Sequence, residues 1–570
     1  MNSRFKRLSV AFLWHMHQPC YKDTITGKYL LPWVRFHAVK DYFPMAALLQ
    51  GFDNVRATFN LVPSLLEQIN DYALNDATDT FLDLTAKSAS SLNLDDRLDI
   101  LENFFRVNFK HFIEPNERYL ELLIKKGLHN TSDRSLRKVV SSFSDQDMLD
   151  LQVLFNIVWF HSMSVDEDIN LKDLLRKGSS YTEEDKEYVL LKQKEIISQV
   201  IPLYRKLQDA GRIEISATPF YHPIIPLLCD TSIARISMPG MDLPKKRFSH
   251  PEDARWHIEE AIKYHREMFG LAPRGMWPSE GSVSDETLEI MASNGIKWAA
   301  TDEEILFKSL SLEGAKRKVS ARAGRPACLD RHSMQSGRRL IYEPYKFKSG
   351  SKSLSLIFRD KPLSDIISFN YNSWEQRSAA DDLMGHFRRI AGQLNLKPGA
   401  DRPLVTIAMD GENAWEFFAD NGRTFFETLY GHLDDDDELE AVTISGHLGL
   451  TTKRKILDTV FPASWINHNF RIWIGEDQDN VSWDYLSAVR EDLVKYTKEA
   501  LKKGEDSSEP LRKAWREFYI AEGSDWNWWY SGKAHMGSDN PFDKLYRTHL
   551  KNVYKYLKKE IPDFLKISIA

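Results

Sequence analysis

The sequence predicts an α/β fold, a parallel barrel in which strands alternate with helices. Short apolar or β-branched runs end abruptly in polar residues, and helical patterns lie between these runs. Since the carboxyl ends of barrel strands meet on one face, the polar residues that follow them are expected to share one site. The runs are LSVAFLW (8–14), ATFN (57–60), IEISAT (213–218), RGMW (274–277), KWAAT (297–301), SLSLIF (353–358) and LVTIAM (404–409).

Two helices between these runs carry clear start and stop signals. One is predicted to begin at Pro251 and to end at Gly270, because proline suits a first helical position and glycine the position after the last. The other follows Ser284, whose hydroxyl can cap the first turn, and ends at Gly295. These signals support the alternation of strand and helix.

The rest of the chain divides into regions of different character. A mostly helical insertion is predicted at about 75–210, within a catalytic region 1–430, followed by a connecting region 431–482 that contributes to the cleft. Three helical patterns then predict a C-terminal helical domain, 483–570. The basic, aperiodic stretch between Gly314 and Arg339 fits a mobile loop over a site or a surface excursion equally well.

Composition excludes several classes of protein. With 42% hydrophobic and 28% charged residues the chain can form a core, and a net charge of −6 without a Lys/Arg stripe argues against nucleic acid as a partner. No apolar stretch approaches the roughly 20 residues that a membrane helix needs. The 15 Trp, 21 Tyr and 31 Phe mostly fill the core, but aromatic planes exposed beside acidic residues suit the apolar faces of sugar rings.

The cysteines predict a reducing compartment. Cys20, Cys229 and Cys328 lie far apart and show no zinc-binding spacing. The N-terminal run LSVAFLW is short and no small-residue cleavage site follows it, so it is predicted to be a core strand rather than part of a signal peptide. A cytoplasmic location is therefore expected.

Histidines follow two of the predicted strands. His15 and His17 share one face of the first strand because strand side chains alternate, and His222 follows the third. A histidine pair on one face could bind zinc, donate hydrogen bonds to sugar hydroxyls or be satisfied in the core. The spacing alone does not separate these three interpretations.

Two acidic residues at strand ends form a candidate catalytic pair. Glu280, in GMWPSEGS, lies just before a helix start, where the helix dipole favours an ionised carboxylate. Asp410 follows VTIAM, and burial there favours its protonated form. Two carboxyls in unequal environments are typical of glycoside hydrolysis, with one as nucleophile and the other as general acid.

Five blocks, in order along the chain, resemble glycoside hydrolase family 57: HMHQP, ATPFYHPIIPLL, GMWPSEGS, AMDGENAWE and AEGSDWNWW. The resemblance implies a seven-stranded (β/α) barrel, a retaining mechanism, α-glucan substrates, and neither cofactor nor metal. It also implies Glu280 as nucleophile and Asp410 as general acid/base. The implied sugar contacts are His15, His17, Gln18, His222, Trp277, Trp465, Asp525 and Trp526.

Several alternatives stay open within and beyond this resemblance. The motif wording looks most like amylases and amylopullulanases, although branching enzymes and glucanotransferases share the family. A zinc-dependent mannosidase or deacetylase would use His15, His17 and His222 as ligands, and a non-catalytic glucan-binding protein is a third class. The block AEGSDWNWW is predicted to fold over the barrel mouth or to be a packing patch. Within it, Asn527 stands where an aromatic residue is expected.

Overall fold

All seven predicted runs form strands in the computed structural model, which describes residues 8–128, 130, 132–320, 338–394, 401–451, 454–530 and 540–569. Three more strands, β6, β9 and β10, were not predicted. The strands are β1 (Leu8–Met16), β2 (Ala57–Leu61), β3 (Ile213–Ser216), β4 (Gly275–Met276), β5 (Trp298–Asp302), β6 (Tyr345–Ser349), β7 (Lys352–Arg359), β8 (Leu404–Asp410), β9 (Leu439–Ala441) and β10 (Lys455–Leu457).

The strands form two sheets that are mainly parallel. One has the order β3–β2–β1–β8, with β9 beside β1, and the other has the order β10–β6–β7–β5–β4. Only β6 and β7 pair antiparallel among the described strands. The sheets meet at a parallel bridge between Ala217 and Met276, and again where the Asp360 amide donates to the Thr406 carbonyl at 2.8 Å. The predicted α/β fold with parallel strands is confirmed.

Helices connect the strands. Both predicted helices are present, one beginning at Pro251 and the other following Ser284. Gly270 ends the helix that begins at Pro251, with a φ of +77° that favours glycine, and the Ser284 hydroxyl accepts the Thr287 amide at 3.2 Å. These connecting helices are Trp33–His37, Phe43–Leu48, Pro63–Leu74, Ile225–Cys229, Ala234–Ser237, Pro251–Phe269, Asp285–Ser293, Glu303–Ser320, Lys361–Phe369, Gln376–Leu394, Arg423–Asp435 and Ile444–Leu450.

The region between β2 and β3 is helical. Its last helix, Glu183–Asp209, packs on Pro63–Leu74 and leads directly into β3. The helices before it are Thr80–Ala86, Leu94–Asn103, Glu117–Lys126, Asp133–Val139, Asp145–Ile157, Ser162–Glu167 and Ile169–Lys177. Further along, the helix Glu303–Ser320 extends into the basic stretch, and residues 321–337 lie outside the described residues, so the predictions for that loop stay predictions.

The chain ends in a group of packed helices, Asp477–Lys503, Glu509–Ala521, Asp525–Trp528 and Pro541–Tyr556. Arg490 joins this group to the helix Pro251–Phe269 through two hydrogen bonds to Asp253, of 2.6 and 2.9 Å. The Ser524 amide donates to the His222 carbonyl at 3.1 Å, which brings the C-terminal segment to the strand ends. Within the described ranges, none of the helices has the length and apolar character needed to cross a bilayer.

Candidate active site

Strand register brings the predicted site residues together. His15 pairs with Asn60 across β1 and β2, and with Asp410 across β1 and β8. Because these strands are parallel, the residues that follow them lie at the same edge of the sheet, where the strands end. The carboxyl end of β1 is therefore the centre of the candidate site.

Glu280 is held in an unusual backbone conformation. It lies in the short turn Ser279–Gly281 with a φ of +55°, a left-handed value that non-glycine residues seldom adopt. The indole Nε1 of Trp465 donates to Glu280 Oε2 at 2.8 Å, and the Trp465 amide donates to the Glu280 carbonyl at 2.9 Å. The ring of Trp277 packs edge-on against Trp465 at 5.2 Å. These contacts fix the carboxyl and stabilise the strained turn.

Asp410 ends β8 and is half-buried. The side-chain amide of Asn413 donates to its Oδ2 at 2.9 Å. Burial raises the pKa of Asp410, while Asn413, His17 and Arg359 act to lower it. The raised pKa of Asp410 agrees with the expectation that burial favours its protonated form.

The pKa of Glu280 corrects one expectation. Burial, together with the charge of Asp410, raises it to about 8, and the Trp465 hydrogen bond lowers it only in part. The helix that was expected to favour ionisation begins at Asp285, and its first turn is capped by Ser284. Burial therefore outweighs the helix dipole, and the pair holds at least one proton near neutral pH.

His15 and His222 are linked in a hydrogen-bond chain. The side-chain amide of Asn60 donates to the Ala217 carbonyl at 2.7 Å, so its Oδ1 accepts from His15 Nδ1 at 2.6 Å. His15 Nε2 then accepts from His222 Nε2 at 3.2 Å, and His222 Nδ1 accepts from the Ser524 hydroxyl at 2.9 Å. Burial and the neighbouring His17 lower the pKa of His15 to about 3, so this ring is neutral.

His17 and Asp525 meet across the site although they are far apart in sequence. His17 Nε2 lies 2.7 Å from Asp525 Oδ1, and its ring stacks on His222 with centroids 3.9 Å apart. Both side chains are partly exposed, at 11% and 12%. They can therefore reach a ligand in the cleft.

The zinc alternative gains a third candidate ligand from the structure. His17, His222 and Asp525 each offer a ligand atom, and these atoms lie within 4.8 Å of one another. However, the two imidazole planes are stacked at 16°, so their in-plane lone pairs run side by side rather than converge on one point. His17 Nε2 is also engaged with Asp525, and both ring nitrogens of His222 have partners in His15 and Ser524. This geometry suits hydrogen bonding to sugar hydroxyls better than tetrahedral coordination.

A charged cluster near Glu280, built on an Arg359–Asp302 ion pair, was not assigned a role from the sequence. Arg359 lies over the Trp465 ring at 4.5 Å, and its Nε donates to Asp302 Oδ2 at 2.7 Å. His468 Nε2 contacts the other oxygen of Asp302 at 3.0 Å. Arg359 and Asp302 each stand directly after a predicted strand, so the signal for them was the one that identified Asp410.

Glu412 is a further carboxyl within electrostatic reach of Asp410. It is buried, its Oε1 accepts weakly from the His17 amide at 3.4 Å, and among the described residues its Oε2 has no hydrogen-bond partner. Burial and the charges of Asp410 and Asp41 raise its pKa well above the usual value. A neutral Glu412 adds no negative charge beside Asp410.

Two predicted contact residues, Gln18 and Trp526, and the neighbouring Asn527 are placed mainly in packing roles. Gln18 is buried and its Oε1 accepts from the Tyr21 hydroxyl at 2.8 Å. The buried Trp526 donates to the Ile520 carbonyl at 3.1 Å, within the C-terminal helices. Asn527 donates to the Ser482 hydroxyl at 2.8 Å, which explains an amide where an aromatic residue was expected.

A protein-family model matches most of this chain. The model described as glycosyl hydrolase family 57 matches residues 11–460. The chain belongs to this family. The resemblance found in the sequence is thereby confirmed, and with it the expectation of a glycoside hydrolase. No curated protein matched the sequence.

Solved structures agree with the family 57 fold. The GH57-type branching enzyme of Pyrococcus horikoshii has a TM-score of 0.59 at 13% identity, covering 98% of this chain and 93% of that chain. The branching enzyme of Thermococcus kodakaraensis gives 0.56 at 13%, covering 96% and 90%. The α-amylase AmyC of Thermotoga maritima gives 0.55 at 14%, covering 98% and 96%. At these identities the likeness shows the fold alone.

Proposed function

We propose that this family 57 enzyme is a retaining hydrolase of α-glucans, with Glu280 as nucleophile and Asp410 as general acid/base. The observation that carries the proposal is the pair itself. Both carboxyls are half-buried beyond strand ends, Asp410 at the end of β8 and Glu280 after β4, and the charge of Asp410 acts to raise the pKa of Glu280. Electrostatic contact of this kind is expected of two carboxyls that flank one scissile bond.

We infer that the two sheets together form a seven-stranded barrel from β1–β5, β7 and β8. The bridge between Ala217 and Met276 and the hydrogen bond from Asp360 to Thr406 support closure on both sides. The contacts of Ser524 and Asp525 with His222 and His17 support a C-terminal helical domain, 483–570, that caps the cleft. The catalytic region is then 1–430 and the connecting region 431–482, which supplies Trp465.

The reaction proceeds in two displacements. Asp410 donates its proton to the glycosidic oxygen, the bond from that oxygen to the anomeric carbon breaks, and a Glu280 oxygen bonds to that carbon. Since Trp465 holds Oε2, Oε1 is the oxygen placed to attack. The Asp410 carboxylate then takes a proton from water, the hydroxide bonds to the anomeric carbon, and Glu280 departs.

The polar groups around the pair suit a glucose unit. Asp525 can accept hydrogen bonds, the partly exposed His17 ring can donate or accept them, and Trp465 adds an aromatic side chain beside Glu280. The names of the similar structures, two branching enzymes and an α-amylase, favour α-glucans as the substrate class. Transfer to a sugar hydroxyl instead of water is the second candidate reaction. The cytoplasmic location stays a prediction from the cysteines.

Product analysis tests this function. Purified enzyme is incubated with maltooligosaccharides, amylopectin and pullulan, and the products are resolved by size and linkage. Hydrolysis predicts shorter chains and a rising number of reducing ends. Longer or newly branched chains at a constant number of reducing ends would favour transfer. Unchanged substrates in all three reactions would contradict α-glucan activity.

A further inference from the structure

Three large aromatic side chains are exposed on the segments that follow β7 and β8: Phe369 ends the helix Lys361–Phe369, and Trp374 and Phe417 lie on loops. Phe369 is 76% exposed, Trp374 47% and Phe417 44%. Water contact at aromatic rings is unfavourable, and a group of them on a surface commonly marks a binding site. We call these three residues the aromatic shelf.

Buried neighbours hold two of the rings in place. Tyr371 is buried, its hydroxyl donates to Asp382 Oδ2 at 2.7 Å, and its ring lies 5.3 Å from that of Trp374. Trp415 is buried and its indole nitrogen donates to the Gly411 carbonyl at 2.9 Å, two residues before the exposed Phe417. The exposed rings are therefore mounted on anchored turns, so little conformational freedom is lost when a ligand binds.

Hydrogen bonds join the two loops into one surface. The turn Tyr371–Ser373 packs against the turn Trp415–Phe417. The side-chain amide of Gln376 donates to the Ala419 carbonyl at 2.7 Å, and its oxygen accepts the Phe425 amide at 3.1 Å. Trp374 and Phe417 therefore belong to one rigid face.

This face shares a loop with the catalytic centre. Asn413 is exposed and donates to Asp410 Oδ2 at 2.9 Å, and Phe417 follows four residues later in the same loop. The polar residues of 369–376 and 413–420 are amides, hydroxyls and carboxylates, and neither stretch contains Lys or Arg. Such a rim offers partners for hydroxyl groups.

We propose that the aromatic shelf binds an α-glucan chain outside the catalytic cleft, several glucose units from the bond that is cleaved. This proposal rests on the proposed function and specifies long chains as the preferred substrates. The C–H faces of glucose rings stack on Trp374, Phe417 and Phe369, and the polar rim contacts the hydroxyls. The loop shared with Asp410, through Asn413, favours the substrate itself as occupant over a second copy of this chain.

Replacing the aromatic side chains of the shelf with alanine is expected to lower activity on long substrates but not on short ones. Trp374→Ala and Phe417→Ala, singly and together, are compared with Leu501→Ala, which removes a side chain of 63% exposure from the helix Asp477–Lys503. Each shelf substitution is expected to lower kcat/KM on amylopectin about two- to ten-fold and to leave kcat/KM on maltotriose unchanged. The Leu501 variant should match the wild type on both.

Binding is measured separately from catalysis. In a Glu280→Gln background, native gel electrophoresis through glycogen should retard the parent protein, and the double shelf variant should lose this retardation. Unchanged retardation, equal losses on amylopectin and maltotriose, or a change of oligomeric state in the shelf variants would overturn the shelf. Inactivity of the wild type on both substrates would instead refute the proposed function.

Discussion

Trp465→Phe tests whether the indole hydrogen bond stabilises the ionised form of Glu280, the proposed nucleophile. The substitution removes the 2.8 Å hydrogen bond from the indole to Glu280 Oε2 but keeps the backbone bond to the Glu280 carbonyl and an aromatic face for Arg359. A hydrogen bond to a charged group contributes about 1.5–3 kcal/mol. Since Glu280 must be ionised to attack, kcat/KM should fall about 10- to 150-fold.

The loss should also depend on pH. The Trp465 hydrogen bond lowers the pKa of Glu280, which burial has raised to about 8. Without that bond the pKa rises further, so a smaller fraction of Glu280 is ionised at any pH below it. The deficit of the variant is therefore larger at pH 6 than at pH 9.

Initial rates on an aryl α-maltooligosaccharide, with a thermal melt of each protein, provide the assay. Trp473→Phe is the matched control, because Trp473 is equally large and buried, and its indole nitrogen has no partner among the described residues. It should lose stability but little activity. A Trp465→Phe enzyme within threefold of wild type, or one no worse than the control, would refute the reasoning.

Three further predictions concern the carboxyls and the histidines. Asp410→Ala removes a charge that raises the pKa of Glu280, so the acid limb of the rate on an α-glucosyl fluoride should move below about pH 8; an unmoved limb would contradict this. Asp525→Ala should lower kcat/KM on a maltooligosaccharide about 10- to 100-fold with little change in Tm, whereas a large drop in Tm with normal kinetics would indicate packing. Exhaustive chelation should leave activity intact, because both working groups are carboxylates. Loss with EDTA and recovery with Zn²⁺, at unchanged stability, would favour a metal at His17, His222 and Asp525.

Much of the fold could be predicted from the sequence, because parallel strands buried on both faces appear as continuous apolar runs. β1, for example, is buried along its whole length. The three-residue strands β9 and β10 escaped prediction because their formation depends on partners: β9 pairs with β1, and β10 with β6. Nothing local in three-residue segments distinguishes them from loops.

The sequence indicates candidate site residues where motifs stand at strand ends. It does not indicate contacts that depend on the three-dimensional fold. Glu280 and Asp410 follow strand runs, and Asp525 was singled out by its motif. The contact of Arg359 with the Trp465 ring joins residues 106 positions apart in sequence, which no pattern reveals. The raised pKa of Glu280 likewise depends on burial, and burial at one side chain is set by the whole fold.

The roles of the two carboxyls are tested most directly by the stereochemistry of azide rescue. In Glu280→Gly, azide replaces the nucleophile and attacks an activated α-glucoside directly, so the account predicts the β-glycosyl azide. In Asp410→Ala the glycosyl-enzyme still forms from the activated substrate, and azide then gives the α-product. The two products are distinguished by NMR. Swapped stereochemistry between the variants would contradict the assignment of Glu280 as nucleophile and Asp410 as acid/base.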